Sequence, residues 1–141
     1  MNEFGEYIAI LFRHTQMYYN SHLQGLNIGS GQFGLIIHIC ENAGLSQDAL
    51  ANQFAMNKST ITRIMKSLEA DGYIFRSVNG QDRRVLNVFP TEKALRVLPE
   101  IRRIRSNWNR EILAGLDEEE KEILMEQLQR ATENALSLAK K

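Results

Sequence analysis

A mainly α-helical chain carrying one small β-hairpin is the fold class that the sequence predicts, and three observations predict it. Apolar residues recur every three or four positions in long stretches before Asn42 and after Thr91. Between Leu45 and Leu68 two further helical patterns are separated only by Ala55-Met56-Asn57, a connection so short that the helices must cross steeply. From Tyr73 to Phe89 the composition changes. Tyr73-Ile74-Phe75-Arg76-Ser77-Val78 and Val85-Leu86-Asn87-Val88-Phe89 are rich in β-branched and aromatic residues, and they bracket Asn79-Gly80-Gln81-Asp82-Arg83-Arg84 as an exposed loop. Helix, tight turn, helix and hairpin in that order describe a winged helix-turn-helix, here flanked by N- and C-terminal helices.

The elements follow from local chemistry. Glu3 to about Leu23 is an amphipathic helix with Phe4, Ile8, Leu11, Phe12 and Tyr19 near one side and Gly25 following it. A second helix is expected from about Gly31 to Asn42, capped by Ser30 and stopped near Gly44. In Leu45-Ser46-Gln47-Asp48-Ala49-Leu50, Ser46 is placed to accept from an orphan helix N–H while Leu45 packs on Leu50 as a staple. Asn57 caps the next helix, whose Ile61, Ile64, Met65 and Leu68 share one face and are expected to be buried. Asp71-Gly72 ends it with a residue that tolerates positive φ. After the hairpin, Thr91 caps a long helix through Leu113, with Val97, Ile101, Ile104, Trp108 and Ile112 on one side and Arg96, Arg102, Arg103, Arg105 and Arg110 on the other. Pro99 falls inside this pattern and is expected to kink the helix rather than divide it. The last helix starts at Asp117, where Glu120 completes a capping box, and carries the stripe Ile123, Leu124, Leu128, Ala131, Ala135 and Leu138.

At 141 residues the chain is one domain's worth, and a hydrophobic share of 43% suits a globular protein. No apolar run approaches the ~20 residues that span a bilayer. Glu3, Glu6 and Arg13 interrupt the N-terminal segment, which therefore lacks the cationic start and apolar core of a signal peptide. These features predict a cytoplasmic protein with no membrane partner. The 17 basic and 17 acidic residues cancel, but they are segregated. From Lys58 to Arg84, Lys58, Arg63, Lys66, Arg76, Arg83 and Arg84 outnumber Glu69, Asp71 and Asp82, whereas acidic residues dominate from Asp117 onward. One cysteine, Cys40, excludes an intrachain disulfide and any multi-cysteine zinc site; its helical spacing with Phe33, Ile36 and Ile37 reads as core. His14, His22 and His38 show no metal-ligand spacing, and neither a nucleophile elbow nor a phosphate-cradling glycine loop is present. No enzyme, metal or cofactor is expected.

The outward face of the helix that follows Asn57 carries Lys58, Ser59, Thr60, Thr62, Arg63 and Lys66, with no acidic residue before Glu69. A generic surface helix mixes signs, whereas a helix lying in the major groove needs short hydroxyls near its start and cations for phosphates and guanines. Arg83 and Arg84 at the hairpin tip suit the minor groove or the backbone phosphates, with Asp82 orienting an arginine. Ser46 and Gln47, at the start of the preceding helix, are the expected contacts to the DNA backbone. The rival to DNA binding is a winged-helix module used for protein contacts, which has no need of paired wing arginines.

The run from Leu45 to Thr91, with Ser59-Thr60-Ile61-Thr62-Arg63, the exit Leu68-Glu69-Ala70-Asp71-Gly72-Tyr73-Ile74 and the wing Asp82-Arg83-Arg84, resembles the MarR family of bacterial transcription regulators. The likeness covers nearly the whole chain. One departure is Pro90-Thr91 with Ala94, where that family commonly has Leu-Thr and a glycine three residues on. The resemblance implies a homodimeric regulator, a repressor on a pseudo-palindromic operator of double-stranded DNA. Residues 1–29 and 100–141 would then form the helical dimerisation region and residues 30–99 the DNA-binding domain, in one intertwined unit. It also implies a crevice for a small aromatic or phenolic ligand, for which Arg13, His14 and Tyr18 offer a cation, an imidazole and an aromatic wall. A constitutive regulator without ligand is the alternative for the regulatory part. The arginines of the long helix have two readings, a solvated outer face or contacts to flanking DNA.

Overall fold

The computed structural model describes residues 3–140. The order is α1 (Phe4–Leu23), a short 3-10 turn (Gln24–Leu26), α2 (Phe33–Glu41), α3 (Gln47–Gln53), α4 (Lys58–Ala70), β1 (Ile74–Val78), β2 (Leu86–Pro90), α5 (Glu92–Ile112) and α6 (Glu118–Ala139). The mainly helical fold with a single hairpin is a winged helix-turn-helix. Two compact units are formed, one running to Trp108 and the other beginning at Asn109. No helix among the described residues is long and apolar enough to cross a membrane.

Local signals place most of the boundaries. The Ser46 hydroxyl accepts from Ala49 N–H at 3.0 Å, and the Asn57 side chain accepts from Thr60 N–H at 2.8 Å, so each helix of the reading head begins on a side-chain cap. α3 ends through a less visible device. Ala55 lies at φ +52°, Ala55 N–H donates to Asn52 O and Met56 N–H donates back to Ala51 O at 2.9 Å. That is a Schellman closure on an alanine, where a left-handed Cβ costs about 1–2 kcal/mol and the turn tolerates it because Leu50 and Ala51 are buried beneath. α4 closes the same way on Gly72 at φ +80°, with Tyr73 N–H donating to Leu68 O at 2.9 Å.

The hairpin is antiparallel, pairing Ile74 with Pro90, Arg76 with Val88 and Val78 with Leu86. Pro90 ends the ladder, where its missing donor does no harm, and Ala94 is fully buried one turn into α5. A third backbone segment joins from before α3. Gly44 N–H donates to Val88 O at 2.8 Å, Val88 N–H donates to Leu45 O at 2.9 Å, and Ser46 bridges Asn87. The wing is therefore tied to the entrance of the helix-turn-helix by main-chain bonds.

Two expectations are modified. α2 starts at Phe33, not near Gly31, and Ser30 does not cap it; instead Asn20 Oδ1 accepts from Ser30 N–H at 3.0 Å and Gln32 Oε1 accepts from Gly29 N–H at 3.0 Å. β1 starts one residue later than expected, because Tyr73 belongs to the helix closure, and β2 runs from Leu86 to Pro90, one residue beyond the expected Val85 to Phe89. α5 runs through Pro99 undivided, as expected. Pro99 and Leu95, whose carbonyl loses its helical donor, both lie on the exposed side, where water can satisfy that oxygen.

The core of the first unit is built from Leu23, Leu35, Ile36, Ile39, Leu50, Ile61, Met65, Leu68, Tyr73, Val88, Ile101 and Ile104. Tyr73 is its polar anchor, donating from its hydroxyl to Leu26 O. Cys40 packs at the edge of this core, and burial pushes its thiol pKa up. The N-terminal part of α1 leaves Phe4, Tyr7, Ile8, Leu11 and Phe12 exposed, Phe12 by 62%. In the second unit α6 opens on the expected capping box, Asp117 and Glu120 each accepting from the other's backbone N–H, and none of its residues is buried despite the stripe of Ile123, Leu128 and Leu138.

Candidate nucleic-acid interface

α4 turns Ile61, Ile64, Met65 and Leu68 into the core and presents Lys58, Ser59, Arg63 and Lys66 outward, with Thr60 and Thr62 half-exposed. Lys58, Arg63 and Lys66 have no acidic partner among the described residues. Ser59 donates its hydroxyl to the capping Asn57 at 2.9 Å. Thr62 donates its own to Lys58 O, one turn back on the helix, at 2.7 Å.

The wing tip is organised by two side chains. Asn79 Oδ1 accepts from Gln81 N–H at 2.8 Å and Asp82 N–H at 3.0 Å, turning the loop. Asp82 accepts from the backbone N–H and the guanidinium of Arg84, at 3.0 and 3.1 Å, and this hydrogen bonding holds the Asp82 carboxyl below the ordinary carboxylate range. Arg84 nevertheless stays 90% exposed. Arg83 is exposed and has no acidic partner among the described residues.

A cavity of about 340 Å³ separates the two, lined by Ser46, Gln47, Lys58, Thr62, Lys66, Arg76, Arg84 and Leu86 among others. Helix and wing thus border one cationic concavity, with the start of α3 at its edge. Ser46 is bound into the α3 cap, and the Gln47 amide is held at both ends, its oxygen accepting from Arg76 at 3.1 Å and its nitrogen donating to Thr62 Oγ1 at 3.4 Å.

Arg76 is the residue that pattern reading left unassigned. It lies two positions after Ile74, on the buried face of β1, and only 14% of its side chain is exposed. A charge there needs partners, and Glu69 supplies them with two bonds of 3.0 and 3.2 Å. The Arg76 hydrogen bonds hold the Glu69 carboxyl below its ordinary pKa. The alternation of β1 was the available signal, since an inward cation seven residues after a carboxylate at a helix end invites a bridge. Pairing also refines the charge count. Arg76 and Arg84 are matched by Glu69 and Asp82, so the excess positive charge is carried by Lys58, Arg63, Lys66 and Arg83.

On α5, Arg96, Arg102 and Arg103 pair with Glu92, Glu41 and Glu100, a matched outer face, and Arg105 is half-buried. The residues expected to meet a ligand are arranged differently from one another. Tyr18 stacks between His22 and Trp108, at 4.0 and 4.6 Å between ring centres, while Trp108 Nε1 donates to Thr15 at 3.1 Å. Arg13 and His14 are exposed on the turn before it. A cavity of about 440 Å³ lies elsewhere, lined by Asn20, Gln24, Asn27, Ile28, Gly29, Gln32, Ser67 and Asp71.

This arrangement is shared with known proteins. Residues 24–85 match the sequence profile of the MarR family. YybA of Bacillus subtilis, an uncharacterized HTH-type transcriptional regulator, is 31% identical over 134 residues, spanning 95% of this chain and 89% of its own. A MarR transcriptional regulator from Methanosarcina mazei superposes with a TM-score of 0.86 at 30% identity, over 95% of this chain and 96% of its own. A MarR family regulator from Listeria monocytogenes, solved in complex with a 26mer DNA, superposes with a TM-score of 0.89 at 30% identity, over 95% of this chain and 89% of its own. Agreement of this extent, covering the reading head and the helices on both sides of it, means that the chain belongs to the MarR family of transcriptional regulators.

Proposed function

We propose that this regulator binds double-stranded DNA sequence-specifically as a homodimer and represses transcription at a pseudo-palindromic operator. The observation that carries the reading is the concavity bordered by α4 and the wing, with Lys58, Lys66 and Arg84 on its walls and Arg63 on the adjoining face of α4. A helix of this polarity fits the major groove, and Arg83 and Arg84 reach the flanking minor groove or phosphates. Ser46 and Gln47 lie where the first helix would cross the backbone, through the hydrogens that their internal bonds leave over. The Listeria relative's complex with DNA supports the same assignment.

The homodimer is supported by unpartnered apolar surface. Phe4, Ile8, Leu11 and Phe12 on α1 and Ile123, Leu128 and Leu138 on α6 are exposed, and a second copy is the occupant that repeats the same stripes. On this reading residues 1–29 and 100–141 carry dimerisation and residues 30–99 carry DNA binding. Leu11→Asp is expected to convert a dimer into monomers in sedimentation equilibrium; an unchanged dimer mass would remove α1 from the interface. For relief of repression we infer a small aromatic or phenolic ligand near Tyr18, with Arg13 and His14 as its polar partners, acting by its differential affinity for two head separations. Addition of a phenolic carboxylate should then release operator DNA and should fail to do so in Tyr18→Ala; a protein indifferent to such compounds is a constitutive regulator.

The primary test is binding to a randomised duplex library over a salt series. An enriched palindrome with steep salt dependence supports the reading, whereas sequence-blind or absent binding moves the protein to the protein-contact alternative.

A further inference from the structure

Thr62 sits where two concavities meet. It borders the cavity between α4 and the wing, together with Gln47 and Arg76, and it also lines the outer face of α4 with Lys58, Ser59, Arg63 and Lys66. Its hydroxyl is committed inward. The single proton goes to Lys58 O at 2.7 Å, and one lone pair receives Gln47 Nε2 at 3.4 Å. The orientation of the Gln47 amide is not arbitrary, because its other end faces the Arg76 guanidinium at 3.1 Å; only the carbonyl oxygen can accept there, so the NH₂ end is turned to Thr62. Arg76 is fixed in turn by its two bonds to Glu69.

The consequence is chemical. The major-groove acceptors, guanine O6 and N7, adenine N7 and thymine O4, require a donor, and Thr62 has no proton left to give. What the half-exposed side chain has left to present is its γ-methyl and one acceptor lone pair, which only an adenine or cytosine amino group could meet. In the major groove the complement of a methyl is the 5-methyl of thymine.

Resting on the DNA-binding reading above, we propose that Arg76 and Gln47 act as positioning residues that lock the Thr62 hydroxyl onto its own helix, so that the Thr62 methyl recognises a thymine 5-methyl in each operator half-site. Thr62 is then a specificity-determining residue that works by apolar contact, and its hydroxyl, the group that pattern reading offers to the bases, donates no hydrogen bond to them.

The test uses the full-length protein and the enriched operator, with each thymine replaced singly by deoxyuridine. One thymine per half-site is expected to bind about fourfold more weakly when its methyl is removed, the fold-change equivalent of burying roughly one methylene. Thr62→Ser, which keeps the hydroxyl bonds and lacks the methyl, should bring the thymine and deoxyuridine duplexes to equal affinity at that position. Arg76→Lys, which can face Glu69 but cannot bridge to Gln47 as well, should lower the same ratio while its melting temperature reports that the head is folded. If no sequence is enriched, the DNA-binding reading fails and this proposal with it. If an operator is enriched but every thymine tolerates deoxyuridine, or if Thr62→Ser keeps the wild-type ratio, the DNA-binding reading stands and the methyl contact is overturned. A wild-type ratio in folded Arg76→Lys would overturn the positioning role.

Discussion

The salt dependence of DNA binding offers the most quantitative check on the interface. Between Lys58 and Arg84, the cations Lys58, Arg63, Lys66 and Arg83 have no acidic partner among the described residues, while Arg76 and Arg84 are matched by Glu69 and Asp82. Each cation that meets a phosphate displaces counterions and contributes ~0.9 to the slope of log affinity against log salt, so two heads carrying these side chains set an upper slope of roughly −7. Raising salt from about 50 to about 200 mM should then weaken operator binding by about four orders of magnitude. Arg83→Gln removes one contact from each head and should flatten the slope by ~1.8. Arg84→Gln should flatten it less, because the Asp82 carboxylate 3.1 Å away already offsets that charge. Fluorescence anisotropy of a labelled operator duplex, titrated at five salt concentrations, measures the slopes of the wild type and of the Arg83→Gln, Arg84→Gln and Lys66→Gln variants. A wild-type slope shallower than about −2, or one that neither Arg83→Gln nor Lys66→Gln alters, would refute the assignment of these side chains to phosphate.

Other consequences follow from the packing. Ile61→Ala empties a fully buried position beneath the candidate recognition helix and should cost about 2–5 kcal/mol in urea denaturation; a loss under about 1 kcal/mol would mean that the helix packs less tightly than described. Asn57→Ala removes the cap on Thr60 N–H and the acceptor for Ser59 and should cost about 1 kcal/mol, with the far-UV dichroism of the folded state unchanged. Because hydrogen bonds from Arg76 hold the folded-state pKa of Glu69 below its unfolded value, the stability they provide is present at neutral pH and is lost as pH falls through the carboxylate range. Wild type should therefore out-melt Glu69→Gln at pH 7 and approach it in acid; a constant gap between the two melting curves would exclude this linkage.

What the sequence by itself determined lies within a few residues of each signal. The caps at Ser46, Asn57 and Asp117, the Gly72 closure and the apolar face of α4 are interactions between positions one to five apart, so composition at those spacings is enough to place helices and to choose which face of α4 meets solvent. The same locality explains the small misreadings. Ser30 has the right side chain for a cap, but Asn20, ten residues away, claims its backbone. Ala55 carries no glycine signal, yet adopts a left-handed turn because the burial of Leu50 and Ala51 requires the chain to reverse there.

Charge was where local reading reached its limit. A run of cations from Lys58 to Arg84 looks uniform in sequence, but the fold divides it into matched and unmatched charges, Arg76 meeting Glu69 and Arg84 meeting Asp82, and it brings the Arg76 guanidinium onto Gln47 across 29 positions. Pairing of Gly44, Leu45 and Ser46 with β2 and of Arg102 with Glu41 across 61 positions belongs to the same class. Helix type and facing are set by contacts a turn away and are written in the order of residues. Which polar group remains available for a partner depends on side chains brought together from distant parts of the chain, and tertiary structure alone decides that, because a donor already bonded inside the protein cannot serve a ligand.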